Sequence, residues 1–534
     1  MSAAIDAGQL SVDALVAEGV THIFGLGGGH IDPTWSAAPK ASVKVVDVRH
    51  EAAAVYAAQG WALATGEPGV CLVTAGPGVT NAVTGLATAL HDGAPVVCLA
   101  GAATNRGADL GEVEHLDQLE IVRPVTKWAR RVEHIERVPE TIARAFTAAT
   151  SGRPGPVYVE IAIDLAHAHV DPDRVRARGP SQWREQRALG PPDELVARAA
   201  DLLRGASRPA VVAGSGVWWS PDGAAALRDF VDATGMPVVT RQAGRGTVPD
   251  DHPLSMGRDW QQVVAQTDVL LVVGSRMNYF FGYGAFGHLD ALIQVDIEPQ
   301  ELGRSLRVPD LAIVGDAGTF LRRLAGTLGR LDLDDWATRL ATQHEAITAA
   351  KAALAASDSS PLHPMRVCAE VARRLPDGAT VVPDGANNLQ WCNVGFDARS
   401  GGAVTSMGSL GTIGHGVGLA LGIACARPGA PVVWMVGDGS FGFHAMELDT
   451  AARHDLPIVT VIMNNRGWSA FWIPLGVRNY ERITGMWEGV GELVESPEQL
   501  GPALDAAFAS NGPAIVNVLV DPAAPWFPGR AFGP

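Results

Sequence analysis

Asp438 and Asn465 are the two side chains whose type and setting best suit shared chemistry. Asp438 lies in Gly437-Asp-Gly-Ser440, just after the apolar run 432–436. Asn465 closes the segment 457–465, whose run 458–463 is also apolar. These runs flank a helix-like segment, 441–455, and read as a βαβ unit with buried parallel strands. The carboxylate and the amide oxygen then fall at the carboxyl ends of strands, where open α/β sheets bind ligands. A carboxylate and an amide oxygen suit a hard divalent cation that also takes phosphate oxygens. Gly437 and Gly439 let a diphosphate approach the backbone, and a helix starting near Ser440 offers N–H groups to an anion. A second candidate is Glu51, in Val45-Val-Asp-Val-Arg-His-Glu-Ala-Ala-Ala-Val-Tyr-Ala-Ala-Gln-Gly60. It stands in the first turn of an alanine-rich helix, where the macrodipole favours an acid.

Gly-Asp-Gly and Asn-Asn at this spacing resemble the fingerprint of thiamine diphosphate enzymes. Thr74-Ala-Gly-Pro-Gly-Val-Thr-Asn-Ala-Val-Thr-Gly85 matches the same family, and the likeness covers nearly the whole chain. It implies a Mg2+ ion held by the Asp438 and Asn465 side chains and the Gly467 backbone oxygen. It implies a cofactor held by Gly437, Asp438, Gly439 and Ser440, with backbone contacts near Asp384, and bent over Ile413 in Ser409-Leu-Gly-Thr-Ile-Gly-His-Gly416. Glu51 becomes the acid that bonds the pyrimidine ring and so prepares the cofactor to lose a proton.

The substrate divides the resemblance. Phe24-Gly-Leu-Gly-Gly-Gly-His-Ile-Asp32 is similar to benzaldehyde lyase, which makes His30 and Gln118 catalytic candidates. Val273-Gly-Ser-Arg-Met-Asn-Tyr279 and Phe441-Gly-Phe-His-Ala-Met-Glu-Leu-Asp-Thr450 resemble the 2-hydroxyacyl-CoA lyase and oxalyl-CoA decarboxylase group. That likeness implies a central site for ADP or CoA, with Arg276 on phosphate and Asp296 on a ribose. Two departures stand out. Ala162 and Ile163 replace a proline and a tryptophan of relatives, and the run 482–494 is shorter than theirs. The tail 526–534 offers Arg530 to a CoA phosphate. The expected activity is carbon–carbon lyase or carboligase chemistry, first of all cleavage of a 2-hydroxyacyl-CoA to formyl-CoA and an aldehyde or ketone. A benzaldehyde-lyase-like acyloin enzyme and acetolactate synthase-like chemistry are the alternatives.

The elements that must position these residues fall into three blocks. We expect three α/β, doubly wound, parallel-sheet domains: 1–165 for the pyrimidine, 190–345 as the central domain, and 362–534 for the diphosphate. Strands are expected at 43–48, 70–74, 96–100 and 157–161, then 210–213, 237–240, 269–273 and 292–295, then 380–382, 432–436, 458–463 and 514–520. Residues 166–192, rich in Pro, Arg and Asp, read as a linker. The chain of 534 residues is too long for one core. Its net charge of −16 argues against nucleic acid and anionic membranes as partners. No apolar run approaches membrane-spanning length, and five scattered cysteines read as reduced core thiols of a cytoplasmic protein. The family likeness implies a homodimer or homotetramer acting on a small molecule.

Overall fold

The computed structural model describes residues 4–107, 110–175, 189–257, 260–405, 408–468 and 473–524. Apolar runs such as Val432–Gly437 and Val269–Val273 have no polar face to show to water, so helices must cover both sides. Three parallel sheets result. The first has six strands, in spatial order Lys44–Asp47, His22–Gly25, Gly69–Val73, Val96–Ala102, Val157–Ala162 and Trp128–Arg131. The central sheet has five: Val238–Thr240, Ala210–Ala213, Val269–Val273, Ala291–Asp296 and Leu311–Val314. The third also has five: Thr380–Asp384, Val432–Gly437, Ile458–Asn464, Ala514–Leu519 and Gly491–Val494. A parallel bridge from Val381 to Val404 extends the third sheet where Lys44–Asp47 extends the first. The first and third domains therefore share one topology.

All twelve expected strands are present. Within the three large sheets the structure adds four, and three of these are sheet edges: Trp128–Arg131, Leu311–Val314 and Gly491–Val494. Edge strands are short and carry charge or alternate in exposure, so their sequences lack the apolar run of a central strand. The fourth, His22–Gly25, is only four residues long. The helix expected over 441–455 is two helices, Asp438–His444 and Glu447–Arg453. The first starts at Asp438, two residues ahead of the expected Ser440. The long helix Asp334–Ala355 runs across the boundary expected at 345. Of the expected linker, residues 176–188 lie outside the described residues, as do Arg530 and the rest of the tail from 525. All five cysteines are buried and free, and among the described residues no helix is long and apolar enough to cross a membrane.

The helix Glu51–Thr65 of the first domain packs on Gly416–Ala426 of the third. Glycine makes the approach possible. A Cβ on Gly60 would lie 2.2 Å from the Leu419 carbonyl oxygen, and one on Gly422 would lie 1.9 Å from that of Ala57. One apolar core runs through this crossing, from Phe24 and Ala54 to Val417 and Trp434, while the central sheet has a core of its own. Gly422→Val should therefore destabilise the protein by about 2–3 kcal/mol or more through backbone displacement. A denaturation midpoint equal to wild type would remove the crossing as a source of stability.

Candidate active site

A cleft of about 900 Å³ opens at the carboxyl edge of the third sheet, and all its lining residues come from the third domain. Asp438 enters it at the end of the strand Val432–Gly437 and is 2 % exposed. Its Oδ2 has no hydrogen-bond partner. Burial lifts the carboxyl to about 6, against the pull of the N–H groups of Asp438, Gly439, Gly467 and Asn465. A buried carboxylate oxygen without a partner is costly unless a cation meets it.

Asn465 follows the strand Ile458–Asn464 into the same cleft, and its Oδ1 accepts from the Gly467 N–H at 3.2 Å. Its neighbour Asn464 is fully buried and spent on the fold, donating to Asn517 Oδ1 at 3.0 Å and accepting from Arg466 N at 3.0 Å. Only the second of the two asparagines is therefore a ligand candidate. A Cβ at Gly437 would meet nothing within 4 Å, which leaves the backbone open, whereas one at Gly439 would touch the Trp468 ring at 3.0 Å. Ser440 and Ile413 also line the cleft. One carboxylate, one amide oxygen and open backbone fit a hard cation carrying a diphosphate.

Asp384 itself does not line the cleft, although the four residues after it do. Its carboxylate accepts from Gly414 N and Gly416 N, both at 2.8 Å, and from the Trp434 indole at 3.3 Å. It thus pins the loop that carries Ile413 and leaves the cleft wall to Gly385, Ala386, Asn387 and Asn388. The structure makes Asp384 a support for the cradle.

His30, Glu51 and Gln118 each follow a strand of the first sheet and share its carboxyl edge. None of them lines the third-domain cleft. Glu51 is 6 % exposed and opens its helix, with the preceding His50 Nδ1 accepting from Ala52 N at 3.1 Å. Glu51 Oε2 accepts from Asn81 Nδ2 at 2.9 Å. His30 Nδ1 lies 2.9 Å from Glu114 Oε2. Gln118 is engaged at both ends of its amide. Its Oε1 accepts from Gly76 N at 2.7 Å, and its Nε2 reaches Gly101 O, the Tyr158 hydroxyl and Glu160 Oε2 within 3.0 Å. In this arrangement it braces the loop at Gly76.

Arg276 makes its contacts with the first domain. Its Nη2 donates to the His91 carbonyl oxygen, while Arg153 Nη2 reaches Leu90 O at 2.8 Å and His91 O at 3.1 Å. Burial, then the neighbouring Arg153, lowers the Arg276 guanidinium below its ordinary value. Both arginines thus close the C-terminal end of the helix Pro77–Asp92, where cations suit the orphan carbonyls. Asp296 does sit at the end of its strand, in a crevice of about 40 Å³ beside Gly216, Gly274 and Gly315. Its carboxyl is raised to about 6 by burial, and it accepts from Glu298 N at 2.9 Å.

Sequence reasoning missed Asn81, Glu114 and Glu447. The first and last lie inside matched segments without an assigned role, and nothing in the acidic run around Glu114 marks it as the partner of His30.

Comparison with known proteins accounts for this architecture. Residues 5–121 match the description "Thiamine pyrophosphate enzyme, N-terminal TPP binding domain", residues 196–324 the central domain, and residues 385–472 the C-terminal TPP binding domain of the same family. A probable acetolactate synthase of Mycobacterium bovis is 36% identical, with 97% of this chain and 96% of that protein covered. A 2-hydroxyacyl-CoA lyase of Oryza sativa subsp. japonica is 31% identical, with 98% and 97% covered. An oxalyl-CoA decarboxylase of Escherichia coli K12 is also 31% identical, with 97% and 95% covered. The three matched segments and their three parallel-sheet domains place the chain in the thiamine pyrophosphate enzyme family.

Proposed function

We propose that this chain is a thiamine diphosphate- and Mg2+-dependent enzyme that makes or breaks a carbon–carbon bond beside a carbonyl. The carrying observation is the partnerless Asp438 Oδ2, buried in a cleft that Asn465 and Gly467 also line. When bound, the cofactor supplies the nucleophilic carbon and the electron sink. Asp438, Asn465 and the Gly467 carbonyl hold the cation on the diphosphate, and Ile413 supports the ring system. Glu51 holds a proton at the pyrimidine nitrogen from a dry site. His30, oriented through Nδ1 by Glu114, keeps Nε2 for the substrate hydroxyl proton.

Among the described residues no first-domain group lines the cleft, which supports the family arrangement in which Glu51 serves the cofactor of a second copy in a symmetric dimer or dimer of dimers. Sedimentation at assay concentration should find no fully active monomer, and finding one would contradict the assignment.

For the substrate, the first reading is a 2-hydroxyacyl-CoA, cleaved to formyl-CoA and an aldehyde or ketone. The chain's similarity to a 2-hydroxyacyl-CoA lyase and to an oxalyl-CoA decarboxylase supports it. A second reading, a carboligase of acyloin or acetolactate type that works without CoA, is favoured by the occupied Arg276 and the small crevice. Product analysis tests both, using the loaded enzyme with formyl-CoA and carbonyl acceptors, with benzoin, and with pyruvate. The CoA reading expects thioester turnover and thermal stabilisation by ADP or CoA. Turnover of benzoin or pyruvate, with neither nucleotide nor thioester bound, would select the second reading.

A further inference from the structure

The four residues that lead into Glu51 are gripped by a single helix of the third domain. Glu447, first residue of the helix Glu447–Arg453, is 1 % exposed. Its carboxylate accepts from Arg49 N at 3.0 and 3.1 Å and from His50 N at 3.0 Å. The Thr450 hydroxyl adds a bond at 2.8 Å. Around this centre, Asp449 holds the Arg49 side chain at 2.8 Å. Arg453 donates to the Asp47 carbonyl oxygen at 2.7 Å, and His454 meets the Asp47 carboxylate at 2.8 Å. Val48 is anchored in the core. Three of the four residues before Glu51 are thus tied to one third-domain helix by polar bonds, and the fourth is buried in the core that the two domains share.

We propose that Glu447 is a positioning residue for Glu51, fixing the backbone turn that delivers the acid to the pyrimidine ring. The inference rests on the proposed function and adds a residue that touches neither cofactor nor substrate. Two backbone donors and a hydroxyl all point at the carboxylate, so only the anion satisfies them together. A protonated carboxyl must turn its O–H, and an amide its NH2, toward Arg49 or His50, where a donor already stands. Burial raises this carboxyl to about 7, with Thr450, the Arg49 and His50 N–H groups and the nearby Arg453 opposing the shift. The other titratable groups facing the turn are His50 itself and His444, whose rings stand 5.3 Å apart edge to face, with His444 Nδ1 on Gly414 O at 2.8 Å. A carboxyl raised from its ordinary value shifts from proton-bound to anionic as pH rises through 7. Placement of Glu51 should therefore improve over that interval.

The test compares Glu447→Gln with wild type in two measurements. In the cofactor-free protein, amide exchange read on peptides spanning residues 48–56 should quicken by about tenfold in the variant. With thiamine diphosphate and Mg2+ bound, proton exchange at the cofactor C2 should slow by on the order of ten- to a hundredfold above pH about 8, as expected for a misplaced acid. Below pH about 6 the two rates should converge, because the glutamine mimics the protonated side chain. Cofactor affinity should change by less than about threefold, since the cation and diphosphate ligands lie elsewhere, whereas general damage would lower it as well. Thr450→Val removes one stabilising bond from the anion and should move the wild-type inflection to higher pH. Equal amide exchange, or equal C2 exchange across the pH range in a folded Glu447→Gln protein, would overturn the inference. So would an unmoved inflection in Thr450→Val should the glutamine variant fail to fold. A wild type that neither binds thiamine diphosphate nor exchanges C2 would overturn the proposed function instead, and the amide measurement would still decide whether Glu447 holds the turn.

Discussion

Asp438→Ala should keep its fold and lose Mg2+-dependent binding of thiamine diphosphate by a hundredfold or more, about 3 kcal/mol. The reason is the buried oxygen that finds no protein partner. Removing the carboxylate takes the full negative charge from the strand end that adjoins Asn465. The cation-free protein should show the opposite balance. Its Asp438 carboxyl is raised to about 6, above its ordinary 3.8. The folded state therefore holds the proton more tightly than the unfolded one. Its contribution favours folding at low pH and is lost as pH rises through the interval from about 4 to 6. The alanine variant should lack that loss, so thermal melts without cation at pH 5 and pH 8 should differ less in the variant than in wild type. Unchanged cofactor affinity by calorimetry in Asp438→Ala would refute the assignment of the site.

The second large effect belongs to Glu51. Glu51→Gln should retain cofactor within a few-fold, because the cation and diphosphate contacts lie in the third domain. Proton exchange at the cofactor C2 should slow by roughly a hundred- to ten-thousandfold, the range expected for removal of a positioned acid. The Asn81 contact supports this split, since an amide at residue 51 still accepts that bond and keeps the helix start in place. Exchange at the wild-type rate would take Glu51 out of the mechanism. Asn81→Ala should give a milder form of the same defect, with exchange slowed by about tenfold and binding little changed.

What was legible in the sequence was what depends on short stretches of chain. Buried strands announce themselves as apolar runs, and the two halves of the proposed cation site each follow such a run directly. The fate of Asp384 and Arg276 could not be read this way. Asp384 follows a strand as Asp438 does, and its residue type and context differ little. Only the three-dimensional path of the loop 414–416 gives its carboxylate two backbone donors and so withdraws it from the cleft. Arg276 is drawn to a helix end some 185 residues away in sequence. The Glu447 contacts span 397 and 398 residues, beyond the reach of any local pattern. Gln118 likewise bonds Gly76, Gly101, Tyr158 and Glu160, partners 17 to 42 residues away in sequence.

The crossing of Glu51–Thr65 with Gly416–Ala426 bears on how the chain is born. Every residue from Glu51 through Gly60 is buried, so this helix has no face made for water. Its cover is synthesised more than 350 residues later, as the span from Thr65 to Gly416 requires. A nascent N-terminal domain on the ribosome must therefore carry a helix with one uncovered apolar side through the translation of the whole central domain. The central domain, with its separate core, can fold meanwhile. Released as a fragment, residues 1–165 should aggregate or recruit a chaperone, whereas 190–345 should stay monomeric and soluble. Maturation is thus a closing step between the two ends of the polypeptide, and cofactor sites arise only after it.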